Sequence, residues 1–223
     1  MYLWDWSIIS TYKYIFLEGA LVTLWLTLLV AVIGTIIGIG LAFMKRSEDF
    51  ILSSFAKIYI ELFRSFPVLV LLIWIFYVLP LFLPIRLSPF IAALIALSIN
   101  LSAFVAETVR AGIESIPKNQ FESGLALGFG YGQIMSKIIL PQAIKNIIPN
   151  LLGLYITELK NSSLASVIAV GELLHRSNIL ISQTYRLLEI YTTVAITYLI
   201  MILPLVFITK YFENRLKQKL KNI

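Results

Sequence analysis

The chain has 223 residues, 59% of them hydrophobic and 13% charged, with a formal net charge of +6. A soluble domain carries roughly a quarter charged residues, so a chain this apolar, with mean hydropathy +0.90, reads as an integral membrane protein. Cysteine is absent, which excludes a disulfide framework and a thiol-based metal or redox site, and the basic residues are spread along the chain, which speaks for cytoplasmic loops rather than nucleic acid.

Residues 1–18 read as a short leader whose Trp4, Trp6, Tyr12 and Tyr14 suit a membrane interface. No basic region feeds a short apolar core there, so no cleavable signal peptide is expected and the first span serves as its own insertion signal. That span covers residues 19–44. Its Gly34 and Gly38 either present a small face to a neighbouring helix or are glycines scattered through a membrane helix. A charged connector, residues 45–57, leads to a second span at 58–83. Glu61 and Arg64 stand three apart, a spacing at which helical side chains pair, and Pro67 predicts a kink. A tight turn with Pro84 and Pro89 precedes the third span, 90–112, which carries Asn100, Ser102, Glu107 and Arg110. Asn100 either hydrogen-bonds a neighbouring helix or lines a path.

Residues 114–141 form a polar, glycine-punctuated segment. Glu122 sits early in a short helical pattern, where a carboxylate suits the helix dipole. Gly128, Gly130 and Gly132 then break the pattern. A second short pattern, 133–140, is expected to stop at Pro141, giving two short helices joined by a glycine elbow. Residues 143–170 make a weak, interrupted fourth span with Glu158, Lys160, Asn161, Ser162 and Ser163 in its middle. Such a cluster ends or opens a helix and belongs toward the protein interior. Residues 171–188 read as an external loop with a short helix; His175, the only histidine, reads as a surface or packing residue. The last span, 189–209, is broken late by Pro204, and the tail holds Lys210, Arg215, Lys217, Lys219 and Lys221.

Placing the tail, the first connector and the glycine segment inside leaves only Lys13, Arg86, Arg176 and Arg186 outside. The fold class that follows is all-α, a single domain over residues 1–223 with five transmembrane helices, amino terminus out and carboxyl terminus in. No Gly-x-x-x-x-Gly-Lys-[Ser/Thr] phosphate cradle occurs, and no carboxylate dyad, Ser-His-Asp set or metal cluster is convincing. Glu122 lacks a partner base. The chain therefore reads as a non-enzyme, and any ATP hydrolysis belongs to another polypeptide.

The stretch from Glu122 to Pro141 resembles the EAA loop of ABC-importer permeases, in which a Glu is followed at fixed offsets by a Gly and then by Ile-x-Leu-Pro. Glu122, Gly128, Ile138, Leu140 and Pro141 fall in that register, and Ser123 and Gly124 stand where alanines are usual. The resemblance runs from residue 19 to residue 216 and is closest to the histidine/glutamine/glutamate/arginine branch. The start around Asp5, with Phe63, Arg64, Ser65 and Pro67, looks like glutamate/aspartate permeases.

The resemblance implies a coupling helix that docks into a cytoplasmic ABC ATPase dimer through Phe121, Glu122, Ser123, Gly124, Leu127, Gly128, Ile138, Leu140 and Pro141. It implies no cofactor in this chain, with ATP and Mg²⁺ on the ATPase. It further implies a second permease, identical or a paralogue, an extracytoplasmic substrate-binding protein, and a multi-pass place in a bacterial inner membrane. Uptake of a polar amino acid by alternating access follows, glutamate/aspartate or glutamine. Donors and acceptors for the amino acid are expected among Asn100, Ser102, Glu158, Lys160, Asn161, Ser162 and Ser163. Related permeases place a substrate contact at the position of Asn161, several with an acid; Asn there weighs against a strongly cationic substrate. An Arg-small-x-Pro element of that branch is matched by Arg64 to Pro67, with structural pairing or substrate contact as its role. Rival readings are an ATP-independent secondary transporter or channel, and a membrane scaffold or sensor.

Overall fold

Prolines and capping side chains set several of the helix starts. The computed structural model describes residues 4–221, with side chains as far as residue 214. The first residues of the expected leader and the side chains of Arg215, Lys217, Lys219 and Lys221 lie outside the described residues.

A single turn, α1 (Ser7–Thr11), leads into the long α2 (Lys13–Lys45). Asp49 caps α3 (Phe50–Ser65), its carboxylate accepting from the backbone N–H of Ile51 and Leu52. Then come α4 (Val68–Ile73), a π-helical turn (Trp74–Val78) and α5 (Leu79–Phe82). Ser88 caps α6 (Pro89–Glu114), with Pro89 in the first turn, where a missing N–H costs nothing. After α7 (Lys118–Ala126) follow α8 (Tyr131–Ile134), a second π-helical turn (Met135–Ile139) and α9 (Leu140–Asn161). A 3₁₀ segment (Ser162–Ile168) leads to α10 (Leu173–Thr184) and α11 (Leu187–Lys221). The described residues contain no strand.

By length and composition, Lys13–Lys45, Pro89–Glu114 and Leu187–Asn214 can each cross a membrane. Two further segments qualify if each bent pair counts as one: Phe50–Ser65 with Val68–Phe82, bent by 104°, and Tyr131–Ile168 with Leu173–Thr184, bent by 48°. The first bend is far more than a kink. Phe66 and Pro67 are both extended (ψ 128° and 122°); for Phe66 the cause is the following proline, which pushes it out of the helical region.

Pro141 does not stop its helix. The chain stays helical from Tyr131 to Asn161, and the turn ahead of Pro141 is π-helical. The wider turn makes room for a ring that would otherwise strike the carbonyl of the preceding turn. The other π-helical turn stands in the same relation to Pro80.

At the centre α2 packs along α6, with α3, α4 and α9 around them. Gly34 and Gly38 form the small face. A Cβ on Gly38 would sit 2.6 Å from Val105 Cβ and 2.7 Å from the Ser102 carbonyl, so only hydrogen fits. Part-buried hydroxyl pairs tie the helices: Thr35 to Tyr155 at 2.7 Å and Tyr59 to Ser102 at 2.9 Å. At the end away from the elbow, α10 lies on α2 at Gly19, and Thr23 accepts from the Leu173 N–H at 3.2 Å. The fully buried Glu172 caps α10 and accepts from Tyr198 on α11 at 2.9 Å.

Candidate functional site

Two features stand apart from ordinary helix packing: a cavity between α3, α6 and α9 with polar groups set in an apolar lining, and the glycine elbow after α6. The cavity follows from the break at Pro67. Proline has no N–H, so the Phe63 carbonyl one turn earlier loses its helical donor. Asn100 on α6, 5% exposed, supplies the replacement, its Nδ2 lying 3.0 Å from that oxygen. Where the broken helix turns away, a cavity of about 220 Å³ opens, lined by Arg64, Asn100, Phe104, Leu154, Thr157, Glu158 and Asn161 among others. Glu158 is 3% exposed, and its Oε1 has no hydrogen-bond partner among the described residues. A buried carboxylate oxygen without a donor is costly and invites a ligand or water.

Of the residues predicted to meet a substrate, the cavity brings together Asn100, Glu158 and Asn161. The others point elsewhere. Ser102 is held by Tyr59 and the Ile99 carbonyl. Lys160 is exposed; Ser162 is buried with its hydroxyl on the Leu159 carbonyl, and Ser163 bonds the Lys160 carbonyl. A cluster adjacent in sequence fans around the end of α9, so only part of it faces one cavity. Phe104 and Thr157 are lining residues that the sequence does not single out, while Arg64, expected either to pair or to meet a substrate, both pairs with Glu107 and borders the cavity. The one available signal was Arg64 standing beside a proline break inside an apolar segment.

Arg64 does not pair with Glu61. It reaches across to Glu107 on α6, Nη1 to Oε2 at 3.9 Å. Glu107 also takes Lys45 at 3.2 Å and Arg110, which in turn holds Glu114. This cluster joins the ends of α2, α3 and α6 on the elbow side of the cavity. A second cavity, about 330 Å³, lies there, lined by Glu107, Thr108 and Asn150 and sharing Arg64, Phe104 and Leu154 with the first.

The elbow is a closed helix end. Gly128 has φ +79°, a left-handed value that costs any other residue energy. The Phe129 N–H returns to the Gly124 carbonyl at 3.1 Å and the Gly128 N–H to Leu125 at 2.9 Å, the Schellman arrangement. Gln133 then reaches back to the Gly130 N–H at 3.2 Å to start the next helix. Gly124 is buried; a Cβ there would sit 2.8 Å from Ile134 and 3.1 Å from Ile138. So α7 is folded flat onto the helix that follows it. Glu122, Ser123, Leu127, Gly128 and Pro141 are exposed, while Ile138 and Leu140 are half-buried beneath them. Phe121 turns inward, edge-on to Tyr131 with ring centroids 5.8 Å apart, and lines a hollow under the elbow with Arg46, Glu114 and Lys118.

Residues 34–218 match the model of the binding-protein-dependent transport system inner membrane component. The chain belongs to that family. It is 36% identical over 214 residues to the glutamine transport system permease protein GlnP of Escherichia coli (strain K12), covering 96% of this chain and 98% of that protein. It is 38% identical over 201 residues to the arginine transport system permease protein ArtQ of Bacillus subtilis (strain 168), covering 90% and 92%. Among solved structures, an amino acid ABC transporter crystallised with histidines superposes with a TM-score of 0.92 at 37% identity, over 96% of this chain and 100% of that one. The MetNI methionine ABC transporter in an inward-facing form shares the fold, with a TM-score of 0.73 at 22% identity over 89% and 94%. The inner-membrane-component family accounts for the apolar helices, and the cavity and the elbow fall inside the matched residues.

Proposed function

We propose that this chain is the membrane-spanning permease subunit of an ATP-driven ABC importer for polar amino acids, working by alternating access in a bacterial inner membrane. Five spans cross the bilayer, the amino terminus outside and the carboxyl terminus inside, which leaves most Lys and Arg in the cytoplasm. The elbow is the coupling helix, and its exposed Glu122, Ser123, Leu127 and Gly128 enter a cleft on a separate ATPase. A lever must be stiff to transmit motion. The closed cap at Gly128 and the tight seat of Gly124 on Ile134 and Ile138 make this one stiff. A second permease, identical or a paralogue, completes the path, and an extracytoplasmic binding protein delivers the substrate.

The cavity between α3, α6 and α9 is the substrate site. The observation that carries this is the unpartnered Oε1 of buried Glu158, in a cavity that also presents Asn100 and Asn161. Glu158 takes the α-ammonium, and the amides bond the rest of the ligand. Asn161 suits an uncharged or acidic polar side chain better than a strongly cationic one. Glutamine, or glutamate and aspartate, is therefore the substrate, in line with the glutamine permease among the relatives.

The assembled complex, with its ATPase and binding protein in proteoliposomes, tests this. Glutamine, glutamate or aspartate should stimulate ATP hydrolysis and enter the vesicles. Stimulation confined to sugars or metal complexes would sink the amino-acid reading.

A further inference from the structure

We propose that Arg64 binds the substrate's α-carboxylate, opposite Glu158. This rests on the cavity being the substrate site and names the group that completes it. Three cations, Lys45, Arg64 and Arg110, face two carboxylates, Glu107 and Glu114. Arg64 is the loosest member: its one ion pair is 3.9 Å long, to a carboxylate already holding two nearer cations. Its side chain is 41% exposed, whereas Lys45 and Arg110 are 18% and 26% exposed. It borders the first cavity and does not pair with Glu158, which lines the same cavity from α9.

The cavity thus offers one guanidinium with spare hydrogen-bonding capacity and one carboxylate oxygen with none of its own satisfied. A zwitterionic amino acid carries the matching pair, and a guanidinium fork fits a carboxylate bidentately. Phe104 lies under the guanidinium at 5.7 Å and holds it against the wall rather than in bulk water. The same guanidinium also faces the second cavity on the elbow side. A carboxylate held by Arg64 therefore stands at the boundary of both spaces, with Phe104 and Leu154 the apolar wall between them. Such a ligand leaves the first cavity without giving up its charge partner.

The test compares L-glutamine and L-glutamate with their α-carboxamides, which keep the ammonium and side chain but lose the α-carboxylate's negative charge. Binding is measured on the full permease–ATPase complex in lipid nanodiscs without the binding protein. The wild type should bind at least one amino acid more than about tenfold tighter than its amide, the worth of one charged hydrogen-bonded contact. In Arg64→Gln that preference should vanish, with the amide's own affinity little changed. Glu158→Gln should weaken acid and amide together and keep their ratio. Should Arg64→Gln fail to assemble, Arg64→Lys serves: it keeps the charge but loses the fork, and the ratio should fall severalfold. An unaltered ratio in either Arg64 variant overturns the proposal. If Asn161→Leu abolishes binding while the Arg64 ratio persists, the cavity stands and Arg64 alone is wrong. If the wild type binds neither amino acid, the substrate cavity and the role of Arg64 fall together.

Discussion

Asn100 on α6 donates to the Phe63 carbonyl on α3, the oxygen that Pro67 deprives of its helical donor. The break that opens the cavity is thus stabilised by a residue that also lines it. Asn100→Leu removes the donor and leaves a buried carbonyl unpaired, at a cost of about 1–3 kcal/mol. Thermal unfolding of the purified complex should show that loss, and Asn100→Asp, which supplies no donor when ionised, should not rescue it. Full stability in Asn100→Leu would mean that water or a backbone shift satisfies Phe63.

Glu107 holds Lys45, Arg64 and Arg110 together across three helices. Its side chain is 22% exposed, against 53% for Glu114. Glu107→Gln should lower stability by about 2 kcal/mol, since three cations lose their shared acceptor. Glu114→Gln should cost less than about 1 kcal/mol, as exposed pairs do. Urea titration of both variants at two salt concentrations checks the difference.

Gly128 closes the elbow at positive φ. Gly128→Ala should cost about 1–2 kcal/mol locally and weaken co-purification of the ATPase. Gly128→Asp and Glu122→Lys should abolish uptake while the protein still inserts. Normal ATPase turnover and co-purification in either of the last two variants would remove the elbow from coupling.

Asn161 stands in the cavity beside Glu158. Asn161→Leu should raise the KM for amino-acid uptake and leave ATPase docking intact. Asn161→Asp should shift preference toward cationic side chains. Unchanged uptake kinetics in both variants would place the site elsewhere.

Much of this molecule was legible in its residues, and the parts that were not share a cause. Runs of apolar residues mark the helices, Pro67 marks where α3 is disturbed though not the size of the 104° bend, and Gly128 marks the turn, because each of these effects is local. Arg64 finding Glu107 rather than Glu61 was not legible, since it depends on how α3 lies across α6. The helix running on through Pro141 was missed because a π-helical turn leaves no compositional mark. The polar run Glu158 to Ser163 pointed toward the protein interior, but not to which members line the cavity. That is set by the helix's rotation against its neighbours, which sequence spacing alone does not give.

The most direct test of the account uses the chain's lack of cysteine. With Glu122→Cys as the single thiol, a membrane-impermeant maleimide is applied to right-side-out and inside-out vesicles, with and without the ATPase. Modification should occur only from the cytoplasmic face, and bound ATPase should protect the thiol. Labelling from the outside, or labelling that the ATPase leaves untouched, would contradict this.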